Sequence, residues 1–366
     1  MCYVSRYDRR ISTSFAIDVI RWPGLRVARL RRAIMNDDTN KICHILDSER
    51  HILFKDVDHD GNSPLMLAVR YASPVTIRVL LSLGAHPDAL NLSNHQTSLT
   101  YLAELKCDDD NERSYEIAKT LLEADADVDK PRYTEYTDEH GNVYLDEETP
   151  LMIAIKNNNL RLAKLFCKNG ANVNFARERT KIRPIHIAVA QGNSAMFDLL
   201  VNCGAKVKNV LTVDDNSLLH WFCFYRQNDN QLAIVKSLLE QGCDVDAGNS
   251  HRRTPLMLAA RHGLIETIRI LLHAGAKMDI TDYKGYRAID LAKQQNQMDC
   301  YQLLKQNSSN KDLTSRRRPV ARQPIIHTTS EQKRVVPQKA DSHQKLSQDS
   351  ARPIIHTAGS RNGTLS

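Results

Sequence analysis

The chain has 366 residues, 42% of them hydrophobic and 25% charged, with a net charge of +7. Eight arginines stand against two acids in residues 1–35 and twelve basic residues against four acids in 305–366, which leaves 30 basic and 37 acidic residues in between. A mildly acidic centre with basic ends is not the footprint of a nucleic-acid-binding domain, and no run of 18 apolar residues is there to span a membrane. The eight cysteines form no C-x-x-C pair and read as thiols of a reducing compartment, cytoplasmic or also nuclear, rather than as disulfides.

Residues 1–24 form an arginine-rich arm. Asp18 and Arg21 interrupt the apolar stretch that follows Arg6, Arg9 and Arg10, which argues against a signal peptide. Ile11, Phe15, Val19 and Trp22 fall at helical spacing and suit a lid over the next element, with a membrane-surface or partner helix as the rival reading. Residues 25–57 contain two short helical stripes, Leu30, Ala33 and Ile34, then Ile42, Ile45 and Leu46. A helix pair of that size cannot bury its own apolar face and has to stack on copies of itself.

The copies follow. A Thr-Pro-Leu-like start appears at Ser63-Pro64-Leu65, Thr97-Ser98-Leu99, Thr149-Pro150-Leu151, Arg183-Pro184-Ile185, Ser217-Leu218-Leu219, Thr254-Pro255-Leu256 and Arg287-Ala288-Ile289. The intervals are 34, 52, 34, 34, 37 and 33 residues. Thr254 has the chemistry of a helix N-cap and Pro255 suits the first helical position, where a missing N–H costs nothing. His262-Gly263 ends that helix, Ile265, Ile268, Leu271 and Leu272 make a second, and Gly275 supplies the left-handed residue after it. Second-helix endings of the same kind recur at 80–88, 121–129, 165–174, 199–208, 238–246 and 271–279.

The long interval carries two insertions. Cys107-Asp108-Asp109-Asp110-Asn111-Glu112 lacks the alternate-ligand spacing of a calcium loop and reads as a solvated loop. The long interval adds residues 131–148, where Tyr133, Tyr136, Val143 and Tyr144 flank Asp138-Glu139-His140-Gly141, a composition that predicts a lengthened β-hairpin. Residues 306–366 contain no aromatic residue and cannot bury enough surface to offset ordering entropy, so a disordered tail is expected. Within it Pro324-Ile325-Ile326-His327-Thr328 is repeated as Pro353-Ile354-Ile355-His356-Thr357, the pattern of a short docking motif used twice.

Seven starts at this period resemble the ankyrin repeat, a β-turn followed by two helices, over roughly residues 26–305. The resemblance implies an all-α solenoid of about eight helix pairs linked by β-hairpin turns. It implies that His186 and His220, at the family's TPLH histidine position, bond the turn backbone of the neighbouring repeat, and that Asn174 is a possible hydroxylation target. It implies no catalytic residue, cofactor or metal, in keeping with the lack of any catalytic or phosphate-loop motif. Partners would be other proteins bound by a monomer. The concave-face positions carry over to Arg70, Tyr71, Phe224, Tyr225, Arg253, Arg261, His262, Tyr283 and Tyr286, with Tyr133, Tyr136 and Tyr144 on the hairpin; Lys156 and Asn157 hold the same positions in repeat four. Aromatic and arginine side chains dominate protein hot spots, which favours the stretch from Phe224 to Tyr286. The expected function is a non-enzymatic scaffold or adaptor, with a ubiquitin-ligase substrate adaptor or a bacterial effector delivered into a host cell as alternatives.

Overall fold

The computed structural model describes residues 25–48, 61–91, 94–105, 111–137, 143–225 and 232–315. They form sixteen helices in eight pairs: α1 Leu25–Met35, α2 Thr39–Ser48, α3 Pro64–Tyr71, α4 Pro74–Ser82, α5 Ser98–Glu104, α6 Asn111–Glu123, α7 Pro150–Lys156, α8 Leu160–Lys168, α9 Pro184–Gln191, α10 Ser194–Asn202, α11 Leu218–Tyr225, α12 Leu232–Glu240, α13 Pro255–His262, α14 Ile265–His273, α15 Ala288–Gln294 and α16 Met298–Ser315. Odd-numbered helices stack on one another in an inner layer, and even-numbered helices stack in an outer layer. The expected helix-pair solenoid is therefore present. The N-terminal arm, residues 106–110 and 226–231 and both PIIHT copies lie outside the described residues.

The starts work as their chemistry requires. The hydroxyls of Ser63, Thr149 and Thr254 accept the N–H groups of Met66, Met152 and Met257, and Pro64, Pro150 and Pro255 occupy the first helical position. Gly263 and Gly275 take φ of 76° and 91°, a left-handed conformation that favours glycine. The degenerate first unit buries Leu30, Ala33, Ile34, Ile42 and Leu46 as its spacing predicts. One boundary differs from expectation. α16 does not stop near residue 305 but continues to Ser315. Residues 305–315 hold no glycine or proline, and polarity alone does not end a helix.

Adjacent repeats are joined by a ladder of side-chain-to-backbone bonds. The last residue of each second-helix ending accepts from the following repeat: Asp88 from Asp127 N–H at 3.0 Å, Asp129 from Asn172 N–H at 2.9 Å, Asn174 from Lys206 N–H at 2.7 Å, and Asp246 from Lys277 N–H at 2.9 Å. Asn174 also donates to Gly204 O at 3.0 Å, so the asparagine singled out for modification is a rung of this ladder. Lys208 occupies the equivalent place between repeats five and six. Lysine offers no acceptor, so that rung cannot form.

His220 makes the expected inter-repeat bond. Ser217 N–H donates to its Nδ1 at 3.2 Å, which leaves the proton on Nε2 to donate to Arg253 O at 2.7 Å. His186 repeats only the local half, accepting Arg183 N–H on Nδ1 at 3.0 Å. Its buried Nε2 finds no hydrogen-bond partner among the described residues, and its ring instead meets Trp221 in a T-shaped contact with centroids 5.4 Å apart. Burial pulls His186 down to about 3 and His220 to about 4, with Arg183 adding to the first and the Arg253 carbonyl opposing the second. Both rings are neutral when folded yet protonate near 6.5 when unfolded, so the stability they contribute is complete above 6.5 and lost as pH falls towards their folded values. The melting temperature should fall between pH 6.5 and pH 4, and His220→Gln, which keeps a donor but does not titrate, should flatten that slope in thermal melts across the range.

Candidate functional site

The groove-facing surface is built from the last turns of the inner helices and from the turns that precede them. Inner helices of eight residues or fewer place two side chains per repeat past the buried segment: Arg70 and Tyr71, Lys156 and Asn157, Gln191, Phe224 and Tyr225, Arg261 and His262. Several of these are occupied in holding the stack together. Asn157 Nδ2 donates to Ala103 O at 2.7 Å and Gln191 Nε2 to Lys156 O at 2.6 Å, so each caps the C-terminus of the preceding inner helix. Arg113 does the same from α6, reaching Val69 O and Ala72 O.

Repeat six breaks that pattern. Tyr225 stands where Asn157 and Gln191 stand, and a phenol cannot reproduce their amide bond. Phe224 and Tyr225 are 42% and 54% exposed. Tyr225 lies against Trp221 at 4.9 Å between ring centroids, and Phe224 against His262 at 6.2 Å. The rings of His186, Trp221 and Tyr225 thus run in contact from α9 to α11, and Phe224 with His262 bridges α11 to α13. Burial followed by the Arg261 charge lowers the His262 pKa, which keeps that imidazole uncharged and available for stacking at neutral pH. Burial also raises the Tyr225 phenol.

The remaining candidates separate into two further groups. Arg253 is not a free surface cation; its Nε lies 3.5 Å from Asp282, whose other oxygen accepts the Lys284 and Tyr286 N–H groups. Beside it, Tyr283 is 70% exposed under Arg252, 5.8 Å from the ring centroid. At the other end of the array, Arg70 donates to the Tyr101 hydroxyl at 3.3 Å and covers Tyr71. The expectation of one continuous cluster from Phe224 to Tyr286 becomes an inner-helix patch and a turn patch with its own anchoring ion pair. Trp221, His186 and Arg252 belong to these patches and were not among the sequence candidates. By spacing Trp221 is an apolar position in α11 like any other, and only the loss of the neighbouring amide cap marks it.

The hairpin expected at 131–148 consists of β1 Arg132–Thr137 and β2 Val143–Glu148, antiparallel, with Arg132 opposite Glu148 and Tyr136 opposite Tyr144. The side chains of Tyr136 and Tyr144 lie outside the described set; Tyr133 is exposed and meets the His95 ring at 5.9 Å. Its root is an ion cluster. Glu148 is fully buried and receives Arg132 at 2.9 Å, Arg177 at 2.7 Å and Lys156 at 3.5 Å, while Arg132 also reaches Glu104 at 2.5 Å. Burial would push the Glu148 carboxyl up, but Lys156, Arg132 and Arg177 together hold it below the usual range. Lys156, a concave-face position by sequence, is thereby drawn into the structure. Glu148→Gln should cost about 3 kcal/mol, since it leaves cations buried without their counter-charge, and urea unfolding at neutral pH measures the loss.

Among the described residues no group of three or more His, Cys, Asp or Glu is arranged to hold a metal, and no helix is long and apolar enough to cross a membrane. The described cysteines are free thiols. Burial and the adjacent Cys203 push Cys167 up to about 12, far from a nucleophilic thiolate at neutral pH.

Stacked helix pairs with a groove of exposed aromatic and basic side chains define a repeat solenoid of the protein-binding kind. A family model described as ankyrin repeats (3 copies) matches residues 30–132, 134–210, 185–282 and 219–317, and the chain belongs to that family. It is similar to human ankyrin repeat and SOCS box protein 6, 33% identical over 131 residues, which are 34% of this chain and 30% of that one. The mouse B-cell lymphoma 3 protein homolog is 29% identical over 170 residues, 45% of this chain and 38% of that one. The matched regions thus span about a third of each relative. The crystal structure of the ankyrin repeat domain of Bcl-3 superimposes with a TM-score of 0.54 at 22% identity, covering 67% of this chain and 97% of that domain, a likeness of fold.

Proposed function

We propose that the chain is a non-enzymatic protein-binding adaptor whose inner-helix patch on repeats six and seven grips one protein partner. The observation that carries the reading is the aromatic run of exposed Tyr225, Phe224 and His262 beside Arg261, with the half-buried Trp221 stacked on Tyr225. Aromatic and arginine side chains set in a partly desolvated groove are what interface hot spots are made of. Tyr225 takes the place that Gln191 fills in repeat five with an amide bond to the Lys156 carbonyl, and it is 54% exposed. The tail adds a second binding element, because two PIIHT copies 29 residues apart raise effective concentration for a divalent target.

Changing Tyr225 and Arg261 together to alanine should weaken partner affinity at least tenfold, about 1.4 kcal/mol, with the melting temperature unchanged. Unaltered affinity in a calorimetric titration would remove this patch from the reading. Replacing Ile325-Ile326 and Ile354-Ile355 by serine pairs should lower recruitment of the tail's partner by more than half per copy; equal recovery by the doubly altered chain would contradict a bivalent tail.

A second reading, substrate recognition for a ubiquitin ligase, draws support from the likeness to an ankyrin repeat and SOCS box protein. Residues 306–366 carry no Leu- and Cys-rich stretch. Elongin or cullin recovered with the full chain would favour this reading, and their absence would leave the plain adaptor.

A further inference from the structure

The repeat-four finger is 18 residues longer than its neighbours require, and the structure fixes how the extra length is used. In an antiparallel pair, residues directly opposite share a face and successive residues alternate. One face of the hairpin therefore holds Arg132, Glu148 and Asp146. These are 8%, 0% and 1% exposed, tied down by the Glu148 ion cluster and by Thr180 Oγ1, which donates to Asp146 at 2.6 Å. The opposite face holds Tyr133, Glu135, Val143, Leu145 and Glu147. Tyr133 is 45% exposed, and Val143 and Leu145 are each 59% exposed.

That arrangement is unusual for a solvent face. A two-stranded sheet is marginal alone in water, and nothing in its own pairing calls for Val and Leu to be presented outward. The root bonds hold the finger from its buried face, so the outward apolar stripe is not needed to fix it. The charge on the stripe is of one sign. Glu135 and Glu147 flank the apolar residues, and residues 131–148 as a whole carry six acids against Arg132. Glu148 is neutralised by its cations and Asp146 is bonded to Thr180, whereas Glu135 and Glu147 stand on the outward face with Leu145 and Tyr133.

We propose that this outward face is a second docking surface, separate from the inner-helix patch, and that its occupant is an extended segment of a partner protein with aliphatic side chains between lysines or arginines on one face. The aliphatic groups cover Val143, Leu145 and Tyr133. The cations meet Glu135 and Glu147, and their sign excludes acidic competitors. The ion cluster at the root holds the stripe in place before the partner arrives, which lowers the ordering cost of binding.

The test uses the full chain and three fluorescein-labelled heptapeptides followed by anisotropy. KTVTVTK carries Lys, Val, Val and Lys on one face, ETVTVTE reverses its charge, and KTSTSTK removes its aliphatic groups. KTVTVTK should bind at least tenfold more tightly than either of the others. Val143→Ser with Leu145→Ser should abolish the preference for KTVTVTK over KTSTSTK, while Tyr225→Ala with Arg261→Ala should leave both preferences intact, so the two surfaces fail independently. Glu135→Lys with Glu147→Lys should move the preference to ETVTVTE, a gain that a misfolded chain cannot produce. Equal binding of all three peptides, no binding of any, or unchanged binding by the serine variant would overturn the proposal.

Discussion

A pair of short helices cannot bury its own apolar face, and the rest of this molecule follows from that constraint. Each repeat is completed by the next one. Both layers supply the apolar core, the Asp88, Asp129, Asn174 and Asp246 rungs satisfy backbone N–H groups across the boundaries, and His220 reaches from α11 to the Arg253 carbonyl of the following turn. These polar links are 2.7–3.0 Å long and recur from repeat to repeat, so the array needs register as well as hydrophobicity. A stack of oily helices without them would be free to slide.

The same constraint explains where binding capacity resides. Positions needed for stacking cannot also be free to meet a partner. Asn157, Gln191 and Arg113 close the ends of inner helices, Lys156 neutralises Glu148, and Arg253 secures Asp282. Repeat six gives up the amide cap for a tyrosine and lacks the rung that Lys208 cannot form. It is also where Trp221, Phe224 and Tyr225 collect on the groove side. Departure from the stacking pattern and an aromatic surface coincide in this repeat, the relation expected when local stacking is relaxed for the sake of contact with another molecule.

Much of this is legible in the sequence because it is local and periodic. The Thr-Pro starts, the glycines after the helices and the 34-residue spacing announce helix pairs, and the composition of residues 131–148 announces a hairpin. What is not legible depends on which side chain a neighbour reaches. Nothing in the order of residues says that Glu148 collects Arg132, Arg177 and Lys156, that Arg253 is anchored, or that Trp221 stacks on His186. The run to Ser315 in α16 escaped for another reason: residues 306–315 are polar, and polarity was read as an end although no helix breaker is present. On the hairpin, three tyrosines drew attention, whereas the pairing register shows that Val143 and Leu145 share the exposed face with Tyr133.

The central claim is that a partner sits on the inner-helix side of repeats six and seven and not on the outer layer. Photo-crosslinking from a benzoylphenylalanine placed at position 225 tests it most directly, with the same residue at position 269 on α14 as the outer-layer control. The account predicts a discrete crosslinked protein from position 225 and none from position 269. Crosslinking of that protein from position 269 alone would contradict it.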